Sequence, residues 1–189
     1  MADRCPWCGT DPLYIAYHDT EWGIPLRDPR ALWECLMLEG FQAGLSWITI
    51  LRRRETFRAA FAGFDPAVIA NWGAPEVERL LGDPGIIRHR GKIEATIKSA
   101  RAYLAIEATE GFAPYIWKHV GHSPQQNRRA SMAEVPAQTA ASVALSKQLK
   151  KDGFKFCGPT IAYAFMQAVG MVNDHLVTCP AHDGALALG

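Results

Sequence analysis

The residues with the clearest metal-binding chemistry lie at the two ends of the 189-residue chain. Near the C-terminus, His175 and Cys179 are four positions apart, a spacing that lets both side chains face one ion from a helix or a tight turn. Near the N-terminus, Cys5, Cys8 and His18 are further candidates. Because a structural zinc site is almost always tetrahedral, we predict one structural Zn²⁺ per chain that joins the two termini.

The residues alone leave the identity of the four ligands open. His182 is another candidate, and free thiols at Cys5 and Cys8 with a hydrogen-bonded core histidine at His175 would need no metal. A catalytic zinc with three ligands and a water is a third arrangement, although two thiolates and two histidines favour a closed site. The five cysteines are an odd number and no secretion signal precedes them, so a disulfide framework is not expected.

A second set of residues has the chemistry of a pocket for a flat, positively charged ring. The stretches DPLYIAYHDTEWG and LEGFQAGLSW are dense in aromatic and acidic residues. Aromatic faces with a few fixed polar groups suit a heterocycle such as a flipped nucleobase, although any one ring is more often part of the core. The candidates are Tyr14, Tyr17, Trp22, Glu39 and Trp47.

Glu39 is the strongest single candidate in this set. It lies in the apolar run ECLMLEGF, where a lone carboxylate is costly unless it is hydrogen-bonded or used in function. A functional role and a structural capping role both fit this position. Shortly after it, Gly44 would permit close approach to DNA, and Leu45 is a candidate wedge for the space that a flipped base leaves.

The segment at about 142–171 predicts two helices joined by a glycine-bounded hairpin, GFKFCG. Gly153 and Gly158 allow sharp turns, and Gly158 precedes a helix N-terminus, where free N–H groups and partial positive charge favour an anion. With Lys155 between them, this is the layout of a helix-hairpin-helix that grips a DNA phosphate without reading sequence. An ordinary αα-hairpin with a glycine cap is the alternative.

Basic residues cluster at 52–54, 88–92 and 147–155, although the net charge of the whole chain is only +1. Such clusters can contact phosphates, or they can be solvated helix ends. The sequence does not decide between these two roles for any single cluster.

The elements that must position all these residues are predicted to be helices. Apolar residues recur at helical spacing from Pro29 through a junction of two helices near 41–44, and residues 92–108 form an amphipathic helix. A short helix is expected to start at Asp65 and Pro66. Strand-like alternation is absent, and residues 111–139 indicate short turns around an exposed loop. The predicted fold class is all-α.

Length and composition favour one globular domain, residues 1–189, which we expect to be a monomer. Hydrophobic residues make up 49% of the chain and charged residues 21%, which is typical of a folded protein rather than a disordered one. No apolar stretch reaches the roughly 18 to 20 residues that span a bilayer. No membrane contact and a cytoplasmic location are therefore expected.

Long ordered motifs over nearly the whole chain resemble the constitutive bacterial 3-methyladenine DNA glycosylase I family, within the helix-hairpin-helix glycosylase superfamily. These motifs are RCPW, DPLYIAYHDTEWG, LEGFQAGLSWITIL, GIIRHRGKI, GFKFCGPTIAYAFMQAVGMVNDH and the final cysteine. The resemblance implies a DNA-repair enzyme that flips 3-methyladenine out of double-stranded DNA and hydrolyses its N-glycosidic bond. The products would be free 3-methyladenine and an abasic site.

The resemblance also implies roles for individual residues. The zinc ligands would be Cys5, His18, His175 and Cys179, which leaves Cys8 outside the site. The base pocket would use Tyr14, Tyr17, Trp22, Glu39 and Trp47. The family has a small hydroxyl residue where this chain has Ala164, so a polar contribution at that position is absent.

A mechanism follows from the charge that N3 methylation places on adenine. Tyr17, Trp22 and Trp47 would box in the cationic ring, and Glu39 would accept a hydrogen bond from its amino edge. Asp174 lies near the place where relatives in the wider superfamily carry a water-activating aspartate. Because Asp174 adjoins His175, we expect it instead to orient that zinc ligand.

Two other classes of protein explain part of the pattern. A non-enzymatic, zinc-stapled DNA-binding module would explain the hairpin, the basic clusters and the metal, but not Glu39 among aromatic residues. A metal-dependent hydrolase of a small heterocycle predicts that chelation removes activity without unfolding. Removal of a structural zinc should instead lower thermal stability.

Overall fold

Helices dominate the computed structural model, which describes residues 4–186. They are α1 (Pro12–Thr20), α2 (Pro29–Gln42), α3 (Trp47–Leu51), α4 (Arg54–Ala60), α5 (Pro66–Ile69), α6 (Ala74–Leu81), α7 (Arg90–Glu107), α8 (Phe112–Trp117), α9 (Ala140–Lys151), α10 (Pro159–Ala168) and α11 (Pro180–Leu186). One-turn 3₁₀ helices span Pro6–Cys8, Ala62–Phe64, Lys118–Val120 and Met132–Glu134. The predicted all-α class is confirmed as a helix-dominated fold. No helix within 4–186 is long and apolar enough to cross a membrane.

Three of the helices begin in the same way, with an aspartate followed by a proline. The carboxylates of Asp11, Asp28 and Asp65 accept hydrogen bonds from backbone N–H groups in the first turns of α1, α2 and α5. Proline suits the next position because its φ is already helical and a first-turn N–H would have no partner within the helix. The helix start predicted at Asp65 is therefore confirmed.

The junction predicted near residues 41–44 is a sharp turn between α2 and α3. Gly44 takes a φ of +85° in this turn, a left-handed conformation that is strained for residues with a side chain. The second predicted helix is interrupted again, because Arg53 leaves helical geometry with a φ of −105° and a ψ of 2°. The chain therefore forms α3 and α4 where one helix was expected.

The helices α9 and α10 pack against each other and are joined by residues 152–158. Phe154 and Cys157 of this loop are buried, while Gly153 takes a φ of +99° at the start of the turn. Phe156 takes a φ of +55°, which is rare for a residue other than glycine. Pro159 is the first residue of α10, as the sequence predicts.

One short pair of strands departs from the prediction that strands are absent. β1 (Gln125–Gln126) pairs in parallel with β2 (Val172–Asn173), and an isolated bridge joins Arg129 to Leu176. Two residues are too few to produce a visible alternation in sequence, so the pattern could not have indicated them. The pairing holds the long loop after α8 against the segment that contains His175.

The main hydrophobic core forms where the central helices meet. A row of aromatic rings runs through it, with centroid distances of 5.7 Å between Phe41 and Phe61 and 5.5 Å between Phe61 and Phe64. A second, much smaller cluster contains Cys5, Leu176 and Cys179. The two ends of the chain thus have little apolar surface of their own to bury.

The segment between α1 and α2 is fixed against the end of α10 by backbone contacts. The N–H of Gly23 donates to the carbonyl of Gln167 at 3.2 Å, and the N–H of Leu26 donates to the carbonyl of Val169 at 3.0 Å. Gly170 lies so close to this segment that a Cβ on it would be 2.4 Å from the carbonyl carbon of Ile24. This contact fixes the backbone that carries Trp22.

We expect Gly170→Ala to destabilise the protein strongly, because the added methyl group would collide with the backbone around Ile24. Gly121→Ala is a matched control, because Gly121 also has a positive φ, +65° against +70° for Gly170, but a Cβ on it would meet nothing within 4 Å. Left-handed strain alone costs roughly 1–2 kcal/mol, and overpacking adds about 1–3 kcal/mol. Urea denaturation measures the free energy of unfolding of both variants, and an equal decrease in the two would contradict this account.

Candidate functional site

Both ends of the chain meet at a buried group of four sulfur and nitrogen donors. Cys5, His18, His175 and Cys179 each place one ligand atom within 4.8 Å of the others. Cys5 Sγ lies 3.7 Å from His175 Nδ1, and Cys179 Sγ lies 3.5 Å from His18 Nε2 and 3.8 Å from His175 Nδ1. Bonds of about 2.0–2.3 Å to a tetrahedral ion would separate sulfur and nitrogen by about 3.6 Å. These four side chains could hold a metal ion.

The outer nitrogens of the two histidines have partners that fix the rings. His18 Nδ1 lies 2.7 Å from a carboxylate oxygen of Asp19, which also accepts a hydrogen bond from Arg4. His175 Nε2 donates to the carbonyl of Trp22 at 3.1 Å. These partners leave His18 Nε2 and His175 Nδ1 to face the thiols. The prediction that Asp174 orients His175 is wrong, since the Trp22 carbonyl takes that role.

The two other candidates, Cys8 and His182, lie outside the group. Cys8 is buried, but its thiol donates to the backbone carbonyl of Cys5 at 3.2 Å. His182 is also buried, with Nε2 3.1 Å from the carbonyl of Asn127 and Nδ1 3.0 Å from Asp183. Both side chains therefore have structural partners within the described residues.

Burial shifts the pKa values of two side chains of the group, Cys5 and His175. It raises the pKa of Cys5 to about 12 and lowers the pKa of His175 to about 4. The histidine is therefore neutral, as a metal ligand must be, while the thiol is protonated. A bound dication would reverse the thiol's preference and favour the thiolate.

The predicted aromatic residues form one cavity directly beside this group. Its volume is about 140 Å³, below the roughly 300–1,000 Å³ of pockets for drug-sized ligands, which suits a single heterocyclic base. Tyr17 and Trp47 have a ring-centroid distance of 5.5 Å, and Trp22 lies 4.7 Å from the His175 ring. The structure thus brings together all five predicted pocket residues, Tyr14, Tyr17, Trp22, Glu39 and Trp47.

Polar atoms without partners give this cavity its chemistry. Glu39 is 2% exposed, and its Oε2 has no hydrogen-bond partner among the described residues. The indole N–H groups of Trp7 and Trp47 are likewise buried without an acceptor in that part of the chain. Burial raises the pKa of Glu39 to about 8. Three of the residues that line the cavity therefore carry buried polar atoms without a partner in that part of the chain.

Four further residues line the cavity that the sequence did not assign to it, namely Trp7, Gln42, Ala164 and Gln167. Gln42 lies three positions after Glu39 on the same helix, a spacing that places both on one face. Trp7 stands between the two N-terminal cysteines, so the metal pattern was a signal for it. Nothing local marks Gln167, which is 128 positions after Glu39 in the sequence.

A second cavity of about 260 Å³ shares Trp7, Trp22, Ala164 and Gln167 with the first. Met132 and Val135 form part of its wall, although the sequence indicated no function for their loop. Ala164 thus lies between the two cavities, at the position where the resemblance implied a hydroxyl group.

Asp174 lines this second cavity and holds its neighbours together. Its carboxylate accepts hydrogen bonds from Tyr163 Oη at 2.5 Å, Gln167 Nε2 at 2.8 Å and Asn127 Nδ2 at 2.7 Å. Arg129 lies 3.6 Å away. A carboxylate with so many partners joins α10 to the long loop, and it has little capacity left to activate water.

The predicted DNA-contacting residues lie at the surface. Leu45 is 42% exposed and follows Gly44 in the turn between α2 and α3. Gly153 and Lys155 are exposed in the loop before α10, and Gly158 precedes its first residue. No side chain of the described residues caps α10, so its first-turn N–H groups can bind an outside anion.

Several residues of two of the three basic clusters are engaged within the protein. Arg52 pairs with Asp11, and Arg54 pairs with Glu21. In the cluster at 88–92, Lys92 is only 7% exposed, so it is not available to a phosphate. Arg88 is exposed, and so is the cluster on α9 and its loop, with lysines at 147, 150, 151 and 155.

Known proteins resemble this chain over nearly all of its length. Residues 7–182 match the family described as methyladenine glycosylase. The DNA-3-methyladenine glycosylase 1 of Escherichia coli (strain K12) is 55% identical over 183 residues, which are 96% of this chain and 98% of that protein. A crystal structure of a 3-methyladenine DNA glycosylase I has a TM-score of 0.94 at 56% identity, covering 95% of this chain and 100% of the other.

A third similarity concerns base recognition. A structure on 3-methyladenine recognition by the 3-methyladenine DNA glycosylase I of Staphylococcus aureus has a TM-score of 0.92 at 38% identity. The match covers 96% of this chain and 97% of that one.

Replacement of Glu39 by glutamine should change how stability depends on pH. Because the folded protein raises the pKa of Glu39 from 4.5 to about 8, it favours the protonated carboxyl group. That stabilisation is complete below pH 4.5 and is lost as the pH rises through about 8. Between pH 4.5 and about 8 each pH unit costs the wild type roughly 1.4 kcal/mol. Glutamine cannot ionise, so Glu39→Gln should be more stable than the wild type at about pH 9, by up to about 5 kcal/mol.

Urea denaturation at about pH 5, 7 and 9 measures this effect. Glu94→Gln, an exposed glutamate on α7, is the control and should show no such trend. A difference between Glu39→Gln and wild type that stays constant with pH would contradict the assignment.

Proposed function

Because the chain belongs to the methyladenine glycosylase family, we propose that it is a DNA-3-methyladenine glycosylase of base-excision repair. It hydrolyses the N-glycosidic bond of 3-methyladenine in alkylated DNA after the nucleotide is flipped out, and leaves an abasic site. The observation that carries this proposal is Glu39, a buried carboxylate whose Oε2 has no partner among the described residues, in an aromatic cavity.

Charge distinguishes the substrate base from normal adenine in this proposal. A methyl group on N3 makes the base in DNA a cation, and the faces of Tyr17, Trp22 and Trp47 attract a cationic ring. Glu39 accepts a hydrogen bond from the amino edge and ionises as the cation enters, since an adjacent positive charge favours the carboxylate. A neutral adenine brings no such charge, so its entry would leave the cost of burial unopposed.

The same charge makes the base a good leaving group. When the bond to C1′ breaks, the electron pair returns to the ring and the base becomes neutral. A water molecule forms the new bond to C1′ and releases a proton. The residues of the cavity therefore need only to hold the base and orient the sugar, and orientation alone can supply a large part of a rate enhancement.

DNA contacts are assigned to the two exposed turns. The N–H groups at the start of α10, with Gly153, Gly158 and Lys155, would hold a backbone phosphate. Leu45 would enter the space that the flipped base leaves, and Gly44 gives its turn the required left-handed conformation. These contacts read no sequence, so binding should weaken steeply with salt. We further propose that one domain and one chain suffice, working in the cytoplasm where bacterial DNA lies.

Zn²⁺ is the metal that the four-donor group fits best. Two thiols and two imidazoles suit zinc by ligand type, their separations match a tetrahedral ion, and their complete burial leaves no position for water. Such a closed site is structural. Cys5, His18, His175 and Cys179 would hold the ion, which would join the two ends of the chain.

The excision proposal is tested with Glu39→Gln and Asp174→Asn on methylated duplex DNA, by measuring released 3-methyladenine. Glu39→Gln should lower the excision rate about 10- to 100-fold, because a hydrogen bond to a charged group contributes roughly 1.5–3 kcal/mol. Asp174→Asn should cost less than Glu39→Gln, because Asp174 acts through its neighbours.

Further outcomes separate the competing interpretations of this assay. If Asp174→Asn abolishes excision while the protein keeps its metal and its fold, the carboxylate that matters is Asp174. If the wild type releases no free base, the chain is a DNA-binding module and not a glycosylase. At limiting DNA, the wild-type kcat/KM should also rise with pH through about 8, the pKa of Glu39 in the free protein, and this rise should be absent in Glu39→Gln.

The zinc proposal is tested with a matched pair of cysteines from the same end of the chain. Cys5→Ser should lose bound zinc and several kcal/mol of stability, because metal affinity contributes directly to folding. Cys8→Ser should retain one zinc per chain, since the hydrogen bond of its thiol goes to the carbonyl of Cys5 and not to the four-donor group. Elemental analysis measures the bound zinc of each variant, and thermal unfolding measures its stability. Chelation that removes activity without lowering the unfolding temperature would instead indicate a catalytic metal.

A further inference from the structure

Lys92 lies inside the protein, although it ends the basic segment RHRGK. Its Nζ donates hydrogen bonds to the backbone carbonyls of Phe41 and Ala43, each at 3.0 Å. Burial lowers the pKa of its ammonium group. A buried lysine is costly unless its donors are used, so these two bonds are the main compensation for placing it there.

The carbonyls that Lys92 binds lie on either side of the end of α2. The carbonyl between them, that of Gln42, accepts a hydrogen bond from the N–H of Leu45 at 2.6 Å. Three successive carbonyls are thus held, two of them by one ammonium group. The carbonyl of Ala43 belongs to the peptide that leads into Gly44, so its direction determines where the exposed Leu45 stands.

The same ammonium group also lies against the loop between α9 and α10. The ring centroid of Phe156 is 5.8 Å from Lys92 Nζ, and this phenylalanine has the unusual φ of +55°. The backbone of α2 comes close as well, because a Cβ on Gly40 would lie 3.5 Å from the Cβ of Phe156. Lys92 therefore binds the end of α2 and lies beside the loop that carries Lys155.

We propose that Lys92 is a positioning residue for base flipping: by holding the end of α2 against the hairpin, it fixes where Leu45 stands relative to the phosphate-binding loop. This inference rests on the proposed excision function. A wedge acts only at a fixed distance from the DNA backbone, so a small displacement lowers the rate of flipping. The bond-breaking step itself does not depend on it.

Comparison of duplex and single-stranded substrates separates a positioning role of Lys92 from a general effect on protein stability. A base in single-stranded DNA needs no extraction from a duplex, so its excision does not depend on a wedge. Excision of 3-methyladenine is measured at saturating enzyme from a methylated duplex and from the same strand alone. Lys92→Met, which keeps the length and apolar stem but removes the donors, should lower the duplex rate about 10- to 100-fold, in line with small misplacements of reacting groups. The single-strand rate should stay close to that of the wild type.

Two reference variants complete the experiment. Leu45→Ala should show the same selective loss on duplex DNA. Lys98→Met removes an exposed lysine from the same helix and should leave both rates unchanged. Lys92→Met leaves the carbonyls of Phe41 and Ala43 against an apolar group, so Lys92→Gln is made as well. The glutamine side chain is shorter than lysine and cannot bond to both carbonyls. The ratio of duplex to single-strand excision rate should therefore also fall in Lys92→Gln.

The outcomes are distinct. Equal losses on both substrates, or an unchanged ratio in whichever of the two Lys92 variants folds, would overturn the positioning role while leaving the glycosylase function intact. Absence of excision from either substrate by the wild type would overturn the proposed function, and this inference with it.

Discussion

A carboxylate buried without a partner for its Oε2 among the described residues is the constraint on which the rest of this structure depends. Glu39 is almost fully enclosed, and burial raises its pKa to about 8. A charged form in such a place is expensive, so the free protein favours the neutral acid. The side chains around Glu39 leave it 2% exposed and so keep that cost high. The cavity thereby becomes selective for a ligand that brings its own positive charge.

The walls of the cavity depend on the chain ends. Trp7 and Trp22 pack on the two histidines of the four-donor group, with centroid distances of 5.2 Å from Trp7 to His18 and 4.7 Å from Trp22 to His175. The carbonyl of Trp22 also accepts a hydrogen bond from His175. Because these segments bury little apolar surface of their own, an ion that joins them would hold two walls of the base cavity in place.

Most residues of this site can be predicted from the sequence, because they belong to local helix-start signals or to motifs shared with a known family. The helix starts follow from aspartate–proline pairs, and the four donors and five pocket residues follow from motifs that the chain shares with a known family. Burial that arises from packing between distant elements cannot be predicted in this way. Lys92 belongs to a basic run, and only tertiary packing shows that it points inwards. Gln167 reaches the cavity from a remote helix, and no local signal marks such a residue.

Glu39 and the carbonyls that Lys92 binds both lie at the C-terminal end of α2. Glu39 lies in the last turn of this helix, where the partial negative charge of free carbonyls disfavours a second negative charge. Lys92 places its ammonium group on two of the carbonyls at this end. These bonds hold the turn that carries Leu45, whereas the raised pKa of Glu39 follows from its own burial. The end of α2 thus carries two separate tasks, base binding by Glu39 and the positioning of Leu45 by Lys92.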